Sequence, residues 1–161
     1  MTFQGRLALA VAFSVLFPAQ RVLACKCAPK TPASMQEDIK RADVIFSGPL
    51  VAVTGPGWNA ELKRTQQVGG ALEASFEVKT VWKGNPARTL ALSTPGIGPE
   101  CLNFPFIPVL GTEYLVLARR NRDGTFGETS CGYSGPLNVS KNVLKVLGTP
   151  SRKHTIESRI I

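Results

Sequence analysis

Cys25 and Cys27 are the residues whose type and spacing first raise a question of chemistry: they stand one residue apart in VLACKCAP, 22–29. A redox pair of known mechanism has two residues between its cysteines, and here Lys26 alone separates them. The spacing is not that of a structural zinc site either. Two more cysteines follow, Cys101 and Cys131, and four cysteines in an exported chain read as two disulfides. A Cys25–Cys27 bridge would close a very small strained ring, so each N-terminal cysteine reaches to Cys101 or Cys131, which leaves two pairings open. Either pairing closes loops of roughly 75–105 residues, worth on the order of 4–5 kcal/mol in the chain-entropy account, less any native strain.

Other chemistry is sparse. The single histidine, His154, lies near the C-terminus and reads as a solvated tail residue, which removes most zinc enzymes and most Ser-His or Cys-His hydrolases. The 11 carboxylates are scattered through strands and turns with no paired motif, and there is no P-loop or dinucleotide fingerprint. Arg119, Arg120 and Arg122 cluster in ARRNRDG, 118–124, with few aromatics between them, as expected of a solvated hairpin end rather than a stacking platform for single strands. The chain reads as a non-enzyme with no cofactor and, in the free protein, no metal.

The stretch ahead of Cys25 is built for removal. Arg6 precedes the apolar run LALAVAFSVLF, 7–17, Pro18 breaks it, and Val22 and Ala24 satisfy a signal peptidase. Eleven apolar residues fall short of the roughly 20 that span a bilayer, and no later run approaches that length. Residues 1–24 are therefore expected to be a signal peptide, and the mature chain to be secreted, extracellular or periplasmic, with no transmembrane segment. Losing Arg6 and Arg21 lowers the formal charge from +8 to +6, so the mature chain stays basic and favours anionic surfaces or polysaccharide. Export argues against nucleic acid as a partner.

The elements that must position these residues follow from periodicity. Ser34 stands three residues before Glu37, a capping-box spacing, and predicts a helix over about 34–41 with Met35 and Ile39 on one face. DVIFSGPLVAV, 43–53, is a strand bent at Gly48-Pro49. Residues 54–70 form a long loop or protruding hairpin, with Trp58 either a contact residue or folded back on the body. In ALEASFEVKTVWKG, 71–84, Leu72, Ala74, Phe76, Val78, Thr80 and Trp82 alternate against Glu73, Glu77 and Lys79, which predicts one strand. RTLALST, 88–94, and TEYLVLARR, 112–120, repeat the β signature, and Asp123-Gly124 turns the latter back toward Cys131. SKNVLKVLG, 140–148, is helical and stops at Gly148, leaving 149–161 as a loose basic tail after one domain over 25–148. The fold expected is mainly β: a five-stranded antiparallel barrel of the oligonucleotide/oligosaccharide-binding (OB) type with two short flanking helices and two disulfides.

In order, CKCAP, ADVIFSG, FEVKTVWKG, ECLNF, EYLVLA and TSCGYSGPL resemble the N-terminal domain of the tissue inhibitors of metalloproteinases, in the netrin-like group. The resemblance covers about 25–148. It implies an OB barrel, disulfides Cys25–Cys101 and Cys27–Cys131, and a first cysteine whose α-amine and carbonyl chelate the catalytic zinc of a target metalloprotease. Lys26 would enter the protease's primary specificity pocket, and Cys27, Ala28 and Pro29 would line the same contact. An α-amine titrates close to physiological pH, so a useful fraction is neutral and free to bind zinc. Signal cleavage would thus make the ligand. The chain departs from those inhibitors in lacking a third disulfide and a second domain, and in carrying lysine where they have a small or hydroxylated residue. The alternative is a non-inhibitory netrin-like OB module of the cell envelope, with VLAC serving as a lipoprotein signal that would place a lipid on Cys25.

Overall fold

The computed structural model describes residues 29–55, 58–59, 64–65, 72–94, 108–128 and 131–154. Their elements in chain order are α1 (Pro32–Arg41), β1 (Val44–Thr54), β2 (Trp58–Asn59), β3 (Arg64–Thr65), β4 (Leu72–Glu77), β5 (Thr80–Lys83), β6 (Thr89–Thr94), β7 (Glu113–Arg120), β8 (Phe126–Gly127), β9 (Gly135–Pro136), a 3-10 turn (Leu137–Val139), α2 (Lys141–Leu147) and β10 (Arg152–Lys153).

Five strands close a barrel. β1 pairs with β4, β4 with β6, β6 with β8, β8 with β7, and β7 returns to β1. Every one of these ladders is antiparallel except β6–β8, which is parallel at Leu92 and Phe126. That corrects the all-antiparallel expectation, and the reason is arithmetic: strand direction cannot alternate all the way round a closed ring with an odd number of members. Order and closure are those of an OB-like barrel, with α1 and α2 outside it.

β1 serves two neighbourhoods because it bends. Its first half pairs with β5 and β7, its second half with β4, and the register shifts between Leu50 and Ala52. The bend predicted at Gly48-Pro49 has a steric cause: a Cβ on Gly48 would lie 1.8 Å from the Glu77 carbonyl oxygen. At the same crossing the single strand expected over 71–84 breaks at Val78 and Lys79 into β4 and β5. The Val78 amide donates to Arg88 and the Lys79 amide to Ser47. Alternation therefore slips by one residue: Leu72, Ala74, Phe76 and Val78 are buried as expected, but beyond the break Val81 is buried instead of Thr80 and Trp82.

Two cores result. Inside the barrel Phe46, Phe76 and Tyr114 pack edge to face, at 5.9 and 6.0 Å between ring centroids, among Leu50, Leu72, Leu92 and Val116. Outside it Ile45, Leu115, Leu117, Ala42 and Val143 meet Met35 and Ile39 of α1, Trp82, and Leu144 and Leu147 of α2. β1 and β7 are buried on both faces where they separate these cores, which is why VIF and YLVLA are continuous apolar runs and not alternating ones.

The helices and the chain end differ in detail from the sequence reading. α1 starts at Pro32 because Thr31, not Ser34, is its N-cap; Ser34 is the reciprocal partner in the box. Trp58 packs back on the barrel core, in a short β2–β3 hairpin. Residues 149–161 were expected to be loose, yet Arg152 and Lys153 pair with β5 and the His154 amide donates to Lys79 at 2.7 Å.

Candidate functional site: the N-terminal entry and its cradle

Of the five residues expected to meet a protease, Cys25, Lys26, Cys27 and Ala28 lie outside the described residues; Pro29 is described and is exposed. Among the cysteines, Cys131 alone is described, in the turn that opens 131–134, so both expected disulfides fall outside what is described. Among the described residues there is no group of three or more metal-type ligands and no helix long and apolar enough to cross a membrane.

The structure does show what receives the chain directly after those residues. The Lys30 ammonium donates to the Gly132 carbonyl at 2.8 Å and sits 5.0 Å above the Tyr133 ring. The Tyr133 hydroxyl donates to the Thr31 carbonyl at 2.8 Å and shares a 2.7 Å hydrogen bond with the Ser34 hydroxyl. Residues 30–34 are thereby fastened to 132–133, about a hundred positions away in sequence. α1 continues the attachment: Met35 and Ile39 pack on the outer core, Arg119 of β7 faces Asp38 at 3.6 Å, and the Lys83 ammonium caps the far end by donating to the carbonyls of Ile39 and Lys40.

That last contact gives the Trp-Lys-Gly sequence a physical meaning. Trp82 Nε1 donates to Gly148 at the end of α2, and Lys83 holds the end of α1. Gly84 has a φ of +76°, and a Cβ there would come within 2.5 Å of the Asp43 carbonyl. The three residues tie both helices to the start of β1.

Glu128 is the residue that sequence reasoning missed, and nothing in TFGETSCG marks it. It directly follows β8. The residue as a whole is partly exposed, but both carboxylate oxygens are out of contact with solvent and have no hydrogen-bond partner. Burial pushes its pKa up to about 8; the Ser134 hydroxyl and amide and the Lys30 charge pull it back, and Asp38 pushes the same way as burial. The Ser134 Oγ accepts from the Leu117 amide at 2.7 Å, which leaves its own hydroxyl hydrogen free to donate. Beside the cradle a cavity of about 450 Å³ opens between α1, 133–136 and α2, with Lys30, Met35, Tyr133, Pro136, Val139 and Val143 among its walls.

The arginine cluster is divided by the fold. Arg119 faces Asp38, Arg120 lies 4.6 Å over the Phe126 ring, and Arg122 is exposed in the turn that ends at Gly124, as expected of a hairpin end. His154 is not the solvated residue expected, since its Nε2 is shut off from solvent.

No family model matches the chain, and no curated protein matches it.

Proposed function

We propose that the protein is a secreted inhibitor of zinc metalloproteases that works through a new N-terminus at Cys25. On this reading the Cys25 α-amine and carbonyl chelate the target's catalytic zinc. Lys26 enters the adjoining specificity pocket, and Cys27, Ala28 and Pro29 complete the contact. Disulfides Cys25–Cys101 and Cys27–Cys131 hold the ridge beforehand, so that binding loses less conformational entropy.

The observation that carries the reading is the cradle. Lys30 and Thr31 are bound to Gly132 and Tyr133, the two residues that follow Cys131. Cys27 stands three residues before Lys30, and three extended residues span only about 10 Å. A Cys27–Cys131 bridge is therefore within reach of an attachment the chain already makes. A binding segment fixed at its base is what a rigid wedge requires.

Lys26 sets the choice of target. A buried ammonium costs several kcal/mol without an acidic partner, so Lys26→Thr should strengthen binding to proteases with an apolar pocket and weaken it for those with an acidic one. The test is a panel of zinc metalloproteases titrated with the exported protein and with Lys26→Thr. If neither form inhibits any of them, the reading fails and the non-inhibitory binding module replaces it. If intact mass shows a lipid on Cys25, the amine route fails with it.

A further inference from the structure

The cavity beside the cradle is walled mainly by apolar side chains: Pro32 and Met35 of α1, Tyr133 and Pro136, Val139 of the 3-10 turn and Val143 of α2. Its volume of about 450 Å³ is that of a small-molecule site. Val139 is 72% exposed, more than any other large hydrophobic side chain among the described residues, so the cavity opens to solvent past an apolar lip. Lys30 is the one charged side chain among the described residues of the walls. Its ammonium has three N–H donors, and the Gly132 carbonyl takes one of them, which leaves donors for an anion. No carboxylate opposes it there: the sequence from 129 to 156 contains none, and Glu37 and Asp38 of α1 are turned to Arg41 and Arg119. Lys141 and Lys145 add two exposed cations on α2, with no ion pair among the described residues. The surroundings therefore attract negative charge.

We propose that this cavity binds a single-chain carboxylate amphiphile of the fatty-acid class, its hydrocarbon chain along the apolar walls and its carboxylate on the Lys30 ammonium. Chain burial supplies the non-directional part of the affinity, and a charge-assisted hydrogen bond fixes the head. The walls select against other classes. A sugar or a peptide backbone would leave polar groups unpaired against them, and a cation would meet Lys30. The one aromatic ring, Tyr133, already carries Lys30 over its face, and the remaining apolar walls are aliphatic, which suits a hydrocarbon chain better than a stacked ring. Met35, unbranched and adaptable, suits a flexible chain. The site does not depend on whether Cys25 binds zinc.

Nuclear magnetic resonance titration of the exported full chain tests it without any protease. The probes are sodium decanoate, below the concentration at which it forms micelles, and 1-decanol, which has the same chain without the charge. Decanoate should bind saturably, moving the methyl signals of Met35, Val139 and Val143 and leaving those of Leu92 inside the barrel in place. Decanol should bind at least about tenfold more weakly, the loss expected of one hydrogen bond to a charged group. Lys30→Met should bring decanoate down to the affinity of decanol. Val139→Glu, at a side chain exposed enough to leave the fold intact, should weaken decanoate at least as much by setting a like charge at the lip. The site is overturned if decanoate does not saturate, if the two probes bind equally, if the shifts fall elsewhere, or if Val139→Glu binds decanoate unchanged. Binding to vesicles of anionic phospholipid but not to free decanoate would assign this face to a membrane and overturn it too.

Discussion

Inside the barrel, Phe46, Phe76 and Tyr114 meet edge to face among buried aliphatic side chains, and the Tyr114 hydroxyl accepts from the Val109 amide at 2.9 Å. At the cradle, Tyr133 is held by hydrogen bonds to the Ser34 hydroxyl and the Thr31 carbonyl and by a lysine over its ring, while the carboxyl of Glu128, just before that segment, is buried without a hydrogen-bond partner. The first region is consistent at every level: apolar pattern, packing and polar satisfaction agree. The second gives up stability at one group and secures a long-range attachment with a handful of polar contacts. Departures of that kind gather where a protein works and not where it only folds. That contrast, and not the barrel alone, directs attention to the N-terminal entry.

The largest effect should come from breaking the barrel side. Gly48→Ala places a methyl where the Glu77 carbonyl already is, at a crossing of two strands that have no flexible side chain to give way. Overpacking in a core costs about 1–3 kcal/mol and more where backbone must move. Urea unfolding should show a loss at or beyond the top of that range, or no folded protein.

Next in size is the pH dependence set by Glu128. Its carboxyl is raised from an ordinary 4.5 to about 8 in the folded protein, so the folded state holds a proton that the unfolded state has released. The contribution is fully present below pH 4.5, falls as pH rises, and levels off above 8. Its slope is up to about 1.4 kcal/mol per pH unit within that window. Glu128→Gln should flatten that slope in unfolding measurements at a series of pH values and be the more stable protein near pH 8.

Smaller again is Tyr133→Phe. It removes the hydroxyl that joins Thr31 and Ser34 to the segment after Cys131 while keeping the ring under Lys30. A loss of about 1 kcal/mol in global stability is expected. Amide exchange at the start of α1 should rise with little change in β1 or β7.

Much of the fold could be read from the residues, and the misses share a cause. Strands rich in β-branched residues, the hairpin turn at Asp123-Gly124 and the stop at Gly148 are local signals, and each lies where periodicity puts it. The parallel β6–β8 pair, the slip between Phe76 and Val81 and the capture of Arg152 and Lys153 by β5 are made by closure and crossing, which no window of sequence contains. The same division holds at the site. The spacing of the cysteines stands in the sequence itself. Lys30, Tyr133 and Glu128 become a cradle only when residues about a hundred positions apart are brought together, and an isolated glutamate near a turn gives no sign that its oxygens will be buried.

The most direct measurement bears on the chemistry proposed for Cys25. Adding one residue before it moves the terminus away and turns the chelating nitrogen into an amide, whose lone pair is delocalised and unavailable to zinc. The barrel and cradle, which begin at Pro29 among the described residues, are left as they are. Inhibition constants for the exported protein and for this one-residue extension are to be measured side by side against a metalloprotease that the exported form inhibits. Chelation through the amine predicts that the extended form loses inhibition while its unfolding curve stays unchanged. Equal inhibition by the two forms would contradict it.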